Sequence, residues 1–198
     1  MNLAFLCLYL TLIVVNCSDQ VTVDSESFME EPLDACDQAP DAGYGIKTGN
    51  AEQRFYFNKE WRLCMGFKYY GIGRSENNFK TIHECHRRCR HAGGSACSGP
   101  SPHIDNHRCF VTPCPKGFSC HYEAHGITRC CKDEYNKASL EAFALKCPNQ
   151  HRVLGYPNDS WDHFEILLGK TCDDLICGAK NTCIQVNKYF AKCCEGSE

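Results

Sequence analysis

The chain opens on an unbroken apolar stretch, with no charged residue from Met1 to Cys17 and a run of Leu3-Ala4-Phe5-Leu6 through Leu12-Ile13-Val14-Val15. It turns polar at Ser18. A run this short with so sharp an edge predicts a signal peptide, 1–17, and no later stretch is long enough to cross a bilayer as a helix. Two aromatic-rich runs, Gln53-Arg54-Phe55-Tyr56-Phe57-Asn58 and Leu63-Cys64-Met65-Gly66-Phe67-Lys68-Tyr69-Tyr70, flank the polar Lys59-Glu60 and predict a twisted β-hairpin. Thr81-Ile82-His83-Glu84 has capping-box spacing, with Thr81 accepting the Glu84 amide and Glu84 reaching back, and opens a short helix ending near Arg90. Cys85 and Cys89, four apart, share one face of that helix. Farther on, Gly126-Ile127-Thr128-Arg129 and Val186-Asn187-Lys188-Tyr189-Phe190-Ala191 predict short strands. Between them, Ala138, Leu140, Ala142, Phe143, Ala144 and Leu145 make 132–146 a helical linker.

Cysteine supplies the next layer of organisation. Loss of the leader takes Cys7 and Cys17 from the 18 cysteines and leaves an even 16, a disulfide framework that only an oxidising compartment maintains. The run Cys109-x4-Cys114-x5-Cys120-x9-Cys130-Cys131 recurs 63 residues later as Cys172, Cys177, Cys183, Cys193 and Cys194. One upstream cysteine belongs to each run, Cys97 and Cys147, so each copy closes three bridges within itself. The longer first spacing of the second copy places an insertion near Gly155 to Phe164. Cys36, Cys64, Cys85 and Cys89 remain. The chain therefore divides into an acidic flexible segment 18–35, a module 36–89, a first cysteine-rich repeat 97–131, the linker 132–146 and a second repeat 147–194. The expected class is small disulfide-rich, with several small cores held by cross-links.

Within 36–89 the pattern Cys36, Arg54-Phe55-Tyr56-Phe57-Asn58, Cys64, Phe67, Tyr69, Gly71, Asn77-Asn78-Phe79, Thr81, Cys85, Cys89 resembles a Kunitz, or bovine pancreatic trypsin inhibitor, domain. The resemblance implies an α+β module, a twisted hairpin and C-terminal helix closed by Cys36–Cys89 and Cys64–Cys85, with Asn77 as its buried asparagine. It also implies a protease-binding loop at Tyr44, Gly45, Ile46, Lys47 and Thr48, within Gly43 to Gly49. In the family a residue just after the second cysteine enters the specificity pocket, and a bridge from that cysteine to the turn after the second strand stiffens the loop. Here the turn position is Ile72, no cysteine lies in the loop, and the loop is about three residues longer. Lys47 suits a trypsin-like pocket and Ile46, in the other register, an elastase-like one. The two repeats are similar to the cysteine-rich module of lustrin-type proteins, which accompanies Kunitz domains in nematode secreted proteins.

The remaining chemistry alters little. Formal net charge is -3, which gives no reason to expect nucleic acid or an anionic membrane as partner. Asp19, Asp24, Glu26, Glu30, Glu31 and Asp34 crowd the segment 18–35, whereas 36–89 carries nine Lys or Arg against six Asp or Glu. His103/His107 and His121/His125 are spaced four apart but lack a helical pattern, so no metal is assigned. Arg87-Arg88 reads as a solvated helix face. Asn158-Asp159-Ser160 is a glycosylation sequon in the insertion. No nucleophile, base and oxyanion set, phosphate loop or cofactor motif is present, so the chain is not expected to be an enzyme. The expectation is a secreted, extracellular serine protease inhibitor or inhibitor-like protein. The alternative is a matrix or cuticle structural protein with a matrix partner.

Overall fold

A hairpin of two seven-residue strands organises the computed structural model, whose described residues are 34–46, 50–89, 97–100, 103–105, 108–122, 126–158 and 163–196. All fall within the unit Leu33–Glu198. The expected leader and nearly all of the acidic segment lie outside them. After a 3-10 turn at Ala35–Asp37, strand β1 (Tyr44–Gly45) precedes the hairpin strands β2 (Glu52–Asn58) and β3 (Leu63–Tyr69). They pair in register from Glu52↔Tyr69 to Asn58↔Leu63. Strand β4 (Gly71–Ile72) leads to helix α1 (Ile82–Cys89).

Helix α1 starts where the sequence places it, but its cap is shifted. The Glu84 amide donates to Thr81 Oγ1 at 3.1 Å, while the Glu84 carboxylate accepts from the Lys80 amide, not from Thr81. Cys85 and Cys89 are both buried on one face, bridging to Cys64 and Cys36. Asn77 is fully buried. Its amide group donates to Gln38 O and Phe57 O and its carbonyl accepts from the Phe57 amide at 2.7 Å, tying the incoming chain to β2.

The first cysteine-rich segment is a three-stranded sheet of β5 (Ile104–Asp105), β6 (Phe118–Tyr122) and β7 (Thr128–Lys132), ordered β5-β7-β6. Helix α2 (Asp133–Phe143) follows at once. The last segment contains the hairpin β8 (Gly155–Asn158) and β9 (His163–Ile166), the short β10 (Leu168–Gly169), a 3-10 turn at Cys172–Asp174, and strands β11 (Asn181–Gln185) and β12 (Ala191–Glu195). Bridges Cys97–Cys131, Cys109–Cys120 and Cys114–Cys130 close one segment; Cys147–Cys194, Cys172–Cys183 and Cys177–Cys193 close the other in the same order. The adjacent cysteines lie inside β7 and β12, so consecutive sulfurs point to opposite faces and reach different partners.

Two expectations need correction. Val186 to Phe190 is a turn, because Asn187 Oδ1 accepts the amides of Tyr189 and Phe190 and folds the chain back before β12 begins at Ala191. The picture of several separate small cores also fails for 36–89 and 147–194. These share one sheet, ordered β11-β12-β10-β3-β2, in which β10 runs parallel to β3 at Gly169↔Gly66. A Cβ on Gly66 would lie 3.1 Å from Leu167 and Leu175 side-chain carbons, so glycine permits the approach. One core joins Tyr56, Trp61, Met65 and Phe67 to Ala138, Ala142, Leu168 and Phe190; the other joins Phe55, Phe79 and Ile82 to Leu167, Leu175 and Ala191. The physical reason is that Phe55 and Tyr56, on opposite faces of β2, are both buried, and α1 covers only one face.

The insertion also packs on this unit. Tyr156 meets Phe55 edge to face at 5.6 Å, and Glu165 lies 3.4 Å from His86 Nδ1. At the far end of the sheet Lys192 is fully buried, its ammonium donating to the carbonyls of Glu141, Ala142, Ala144 and Lys146 at 2.8 to 3.3 Å. It thereby satisfies orphan carbonyls at the end of α2. Burial pushes its pKa down. Lys192→Met leaves those acceptors without their donor and is expected to lower the unfolding free energy by about 2–4 kcal/mol, read from denaturant melts with disulfides intact. A change below about 0.5 kcal/mol would mean the carbonyls find other partners.

Candidate functional site

The segment 41–46 lies beside 70–74, joined without a covalent link. Tyr44 pairs with Ile72 and Gly45 with Gly71. The Ile46 amide donates to Tyr70 O at 2.8 Å, and the Tyr70 amide donates to Ala42 O at 2.7 Å. Glycine is required here by backbone shape, since Gly43, Gly45 and Gly71 have φ of 68°, 106° and 106°. It is also required by closeness, because a Cβ on Gly43 would sit 2.8 Å from Ile72 O.

Asp41 pins the two segments from one side. Its carboxylate accepts from the Gly43 amide at 2.8 Å and from the Arg74 amide at 2.9 Å. These donations, Arg74 first and Gly43 next, hold the Asp41 carboxyl below its ordinary value of 3.8. Tyr69 adds a further tie, its hydroxyl accepting from the Gly73 amide at 3.1 Å. On the other side Gln53 links the base of the loop to the last cysteine-rich segment, donating to Asp174 O and accepting from the Ile176 amide at 2.8 Å.

The loop residues singled out from sequence fall into three groups. Tyr44 and Gly45 form β1, with Tyr44 69% exposed and its partner Ile72 61% exposed. Ile46 is half-buried, and its Cγ1 is 3.1 Å from where a Cβ on Gly71 would stand. Lys47 and Thr48 lie outside the described residues. Asn158 ends β8 opposite His163, while Asp159 and Ser160 of its sequon lie outside. Arg87 and Arg88 are exposed on α1, and Arg88 approaches Asp34 at 3.8 Å.

Of each histidine pair only the first member, His103 and His121, is described. His121 meets the Asn136 amide, His103 contacts Arg129 and Asp105, and His107 and His125 lie outside. Among the described residues the one trio with metal-ligand proximity is Cys109, Cys114 and Cys130, and all three sulfurs are in disulfides. Sequence reasoning missed Asp41, although Asp41-Ala42-Gly43 is a turn signal that could have found it.

These features are those of a small disulfide-rich module in which backbone hydrogen bonds pair 41–46 with 70–74. Residues 35–90 match the Kunitz/Bovine pancreatic trypsin inhibitor domain family, and the chain carries that domain there. Kunitz domains are generally protease inhibitors and not enzymes. Over most of its length the chain is similar to Major allergen Ani s 1 of Anisakis simplex, 27% identical over 172 residues, covering 83% of this chain and 84% of that protein. It is 26% identical over 168 residues to a BPTI/Kunitz inhibitor domain-containing protein of Caenorhabditis elegans, covering 81% of this chain and 89% of the relative. Kunitz-type serine protease inhibitor PILP-2 of Bungarus multicinctus is 41% identical over 54 residues, 27% of this chain and 61% of its own. Among the described residues no helix is long and apolar enough to cross a membrane.

The Asp41 pin has a defined pH dependence. Its lowered pKa means the carboxylate contributes above the ordinary 3.8 and the contribution is lost as pH falls through the folded value. Amide exchange should show Gly43 and Arg74 protected near neutrality and released in acid, and Asp41→Ala should release both at every pH. Protection that stays the same across that range in the wild type would show that the ladder alone holds the loop.

Proposed function

We propose that this chain is a secreted Kunitz-type inhibitor-like protein that binds an extracellular serine protease through the loop 43–49. The observation that carries the reading is the restraint on that loop. No cysteine spans it, yet two backbone hydrogen bonds and the Asp41 carboxylate tie its described part to 70–74. Preorganisation is what a substrate-like inhibitor needs, because a loop already in its bound shape loses little entropy on docking.

Magnitudes decide how strong the inhibitor is. A bridge across such a loop supplies roughly 2–4 kcal/mol of restraint, and each net hydrogen bond about 1 kcal/mol. The two sets are comparable in sum, but the hydrogen bonds open and close while a bridge does not. Inhibition weaker than that of a bridged loop follows, with slow cleavage of the loop over time.

Secretion is supported by the apolar leader 1–17 and by eight disulfides, which persist only in oxidising compartments. The same reading takes 97–131 and 147–194 as cysteine-rich repeats joined by the linker 132–146, and Asn158 as a glycan site. The test is an inhibition series of the purified protein against trypsin-, chymotrypsin- and elastase-like proteases. Saturable inhibition that a single change in the loop abolishes, with Lys47→Ala and Ile46→Ala in the set, is the expected result. Plain cleavage, or no association with any of the three, would remove the protease reading.

A further inference from the structure

We infer that the outer edge of β5, with Phe110 and Val111 of the following turn, is a docking face through which two copies of this chain associate about a two-fold axis. The inference comes from the likeness of the two cysteine-rich segments and does not depend on the protease reading. Shifted by the 63 residues that separate their cysteines, the segments share one register: Asp105↔Arg129 of β5 and β7 falls on Leu168↔Lys192 of β10 and β12. The next turn matches as well, since the Val111 amide donates to Arg108 O as the Asp174 amide does to Thr171 O. Strand β5 is therefore the counterpart of β10, and 109–113 that of 172–176.

In the last segment this face is covered. Strand β10 pairs with β3 at Gly169↔Gly66, Leu168 lies in one core with Met65 and Phe67, and Gln53 of the hairpin bonds Asp174 O and the Ile176 amide. In the first segment β5 is the outer strand of the order β5-β7-β6 among the described residues. Phe110 and Val111, at the places of Asp173 and Asp174, stand 62% and 65% exposed. Ile104 on the edge itself is exposed, and Tyr122 stacks on Phe110 with ring centres 6.4 Å apart. Two replacements exclude the chain's own hairpin from this second face. Pro113 has no N–H where Ile176 donates one, and Asp105 stands where Leu168 is buried. Asn106, at the place of Gly169, lies outside the described residues.

A second copy meets what the face requires. An unpaired strand edge is a template for another strand, and two β5 edges related by a two-fold axis pair antiparallel, Ile104 of each opposite Asp105 of the other. Opposed residues share a face of the sheet and consecutive residues do not, so the two Asp105 carboxylates fall on opposite faces. Each keeps its own His103 at 3.1 Å and Arg129 at 3.6 Å. Residues 97–131 hold three Lys or Arg against two Asp or Glu, so little net charge opposes the approach. Covering Phe110 and Val111 adds the apolar burial that so short an edge lacks.

Sedimentation equilibrium on the intact, disulfide-bonded chain tests this. The contact is small, so a monomer–dimer equilibrium with a dissociation constant of about 1–100 µM is expected. Phe110→Asp combined with Val111→Asp repeats what the matching turn already carries at Asp173 and Asp174, so the turn tolerates the change, and the dimer should weaken by roughly tenfold or more. Amide exchange at Ile104 and Asp105 should slow as the wild-type concentration rises, and should not in the double variant. A wild type that stays monomeric up to about 500 µM overturns the inference and leaves the face to a strand of a different protein. A dimer that the double variant leaves unchanged, or whose added protection falls away from β5, overturns it equally.

Discussion

A two-stranded hairpin with large apolar side chains on both faces needs cover on both, and that requirement shapes the whole unit. Along β2 and β3, Phe55 and Cys64 point one way while Tyr56, Met65 and Phe67 point the other, and all five are buried. The first set packs under α1, fixed by its two bridges. The second set would face water if 36–89 stood alone, and the last segment supplies its cover with Leu168 and Phe190, helped by Ala138 and Ala142 of α2. At roughly 25 cal/mol per Å2 of apolar surface, hiding several aromatic rings offsets the entropy of ordering the appended chain.

Cross-linking and packing divide the labour differently in the two cysteine-rich segments. In each, a strand with adjacent cysteines sends one sulfur to either face, so a single strand is stapled above and below. Between residues 147 and 194 those staples also bear on the shared cores, since Cys147 and Cys194 lie in one and Cys193 in the other. The described residues of 97–131 contribute no member to either core, and Phe110, Val111 and Tyr122 there are exposed. Bridges there substitute for an apolar interior that so few residues cannot build.

What could be read from the sequence was local. The hairpin and α1 announce themselves by aromatic runs and by a Thr81–Glu84 spacing, and their observed bounds, Glu52–Asn58, Leu63–Tyr69 and Ile82–Cys89, lie within a residue or so of the pattern. The joining of β10 to β3 was not legible, because it hangs on one residue pair, Gly66 and Gly169, more than a hundred residues apart and without a repeating signal. The doubled aromatics at Phe55-Tyr56 did hint at it, since a strand solvated on one face alternates. In the loop, the register of Tyr44 against Ile72 is set by backbone bonds that leave no composition trace. The turn at Asn187 shows the opposite failure, where a strand-like run yields to one side chain bonded to two following amides.

The caged ammonium of Lys192 turns a structural detail into a clock. Its nitrogen is surrounded by four main-chain oxygens contributed by the end of α2 and the residues that follow, and it has no path to solvent while β12 lies against them. An amine-reactive reagent can acylate it only in the moments when strand and helix part. The rate of that labelling, set beside that of an exposed lysine such as Lys188, times the opening of the C-terminal sheet.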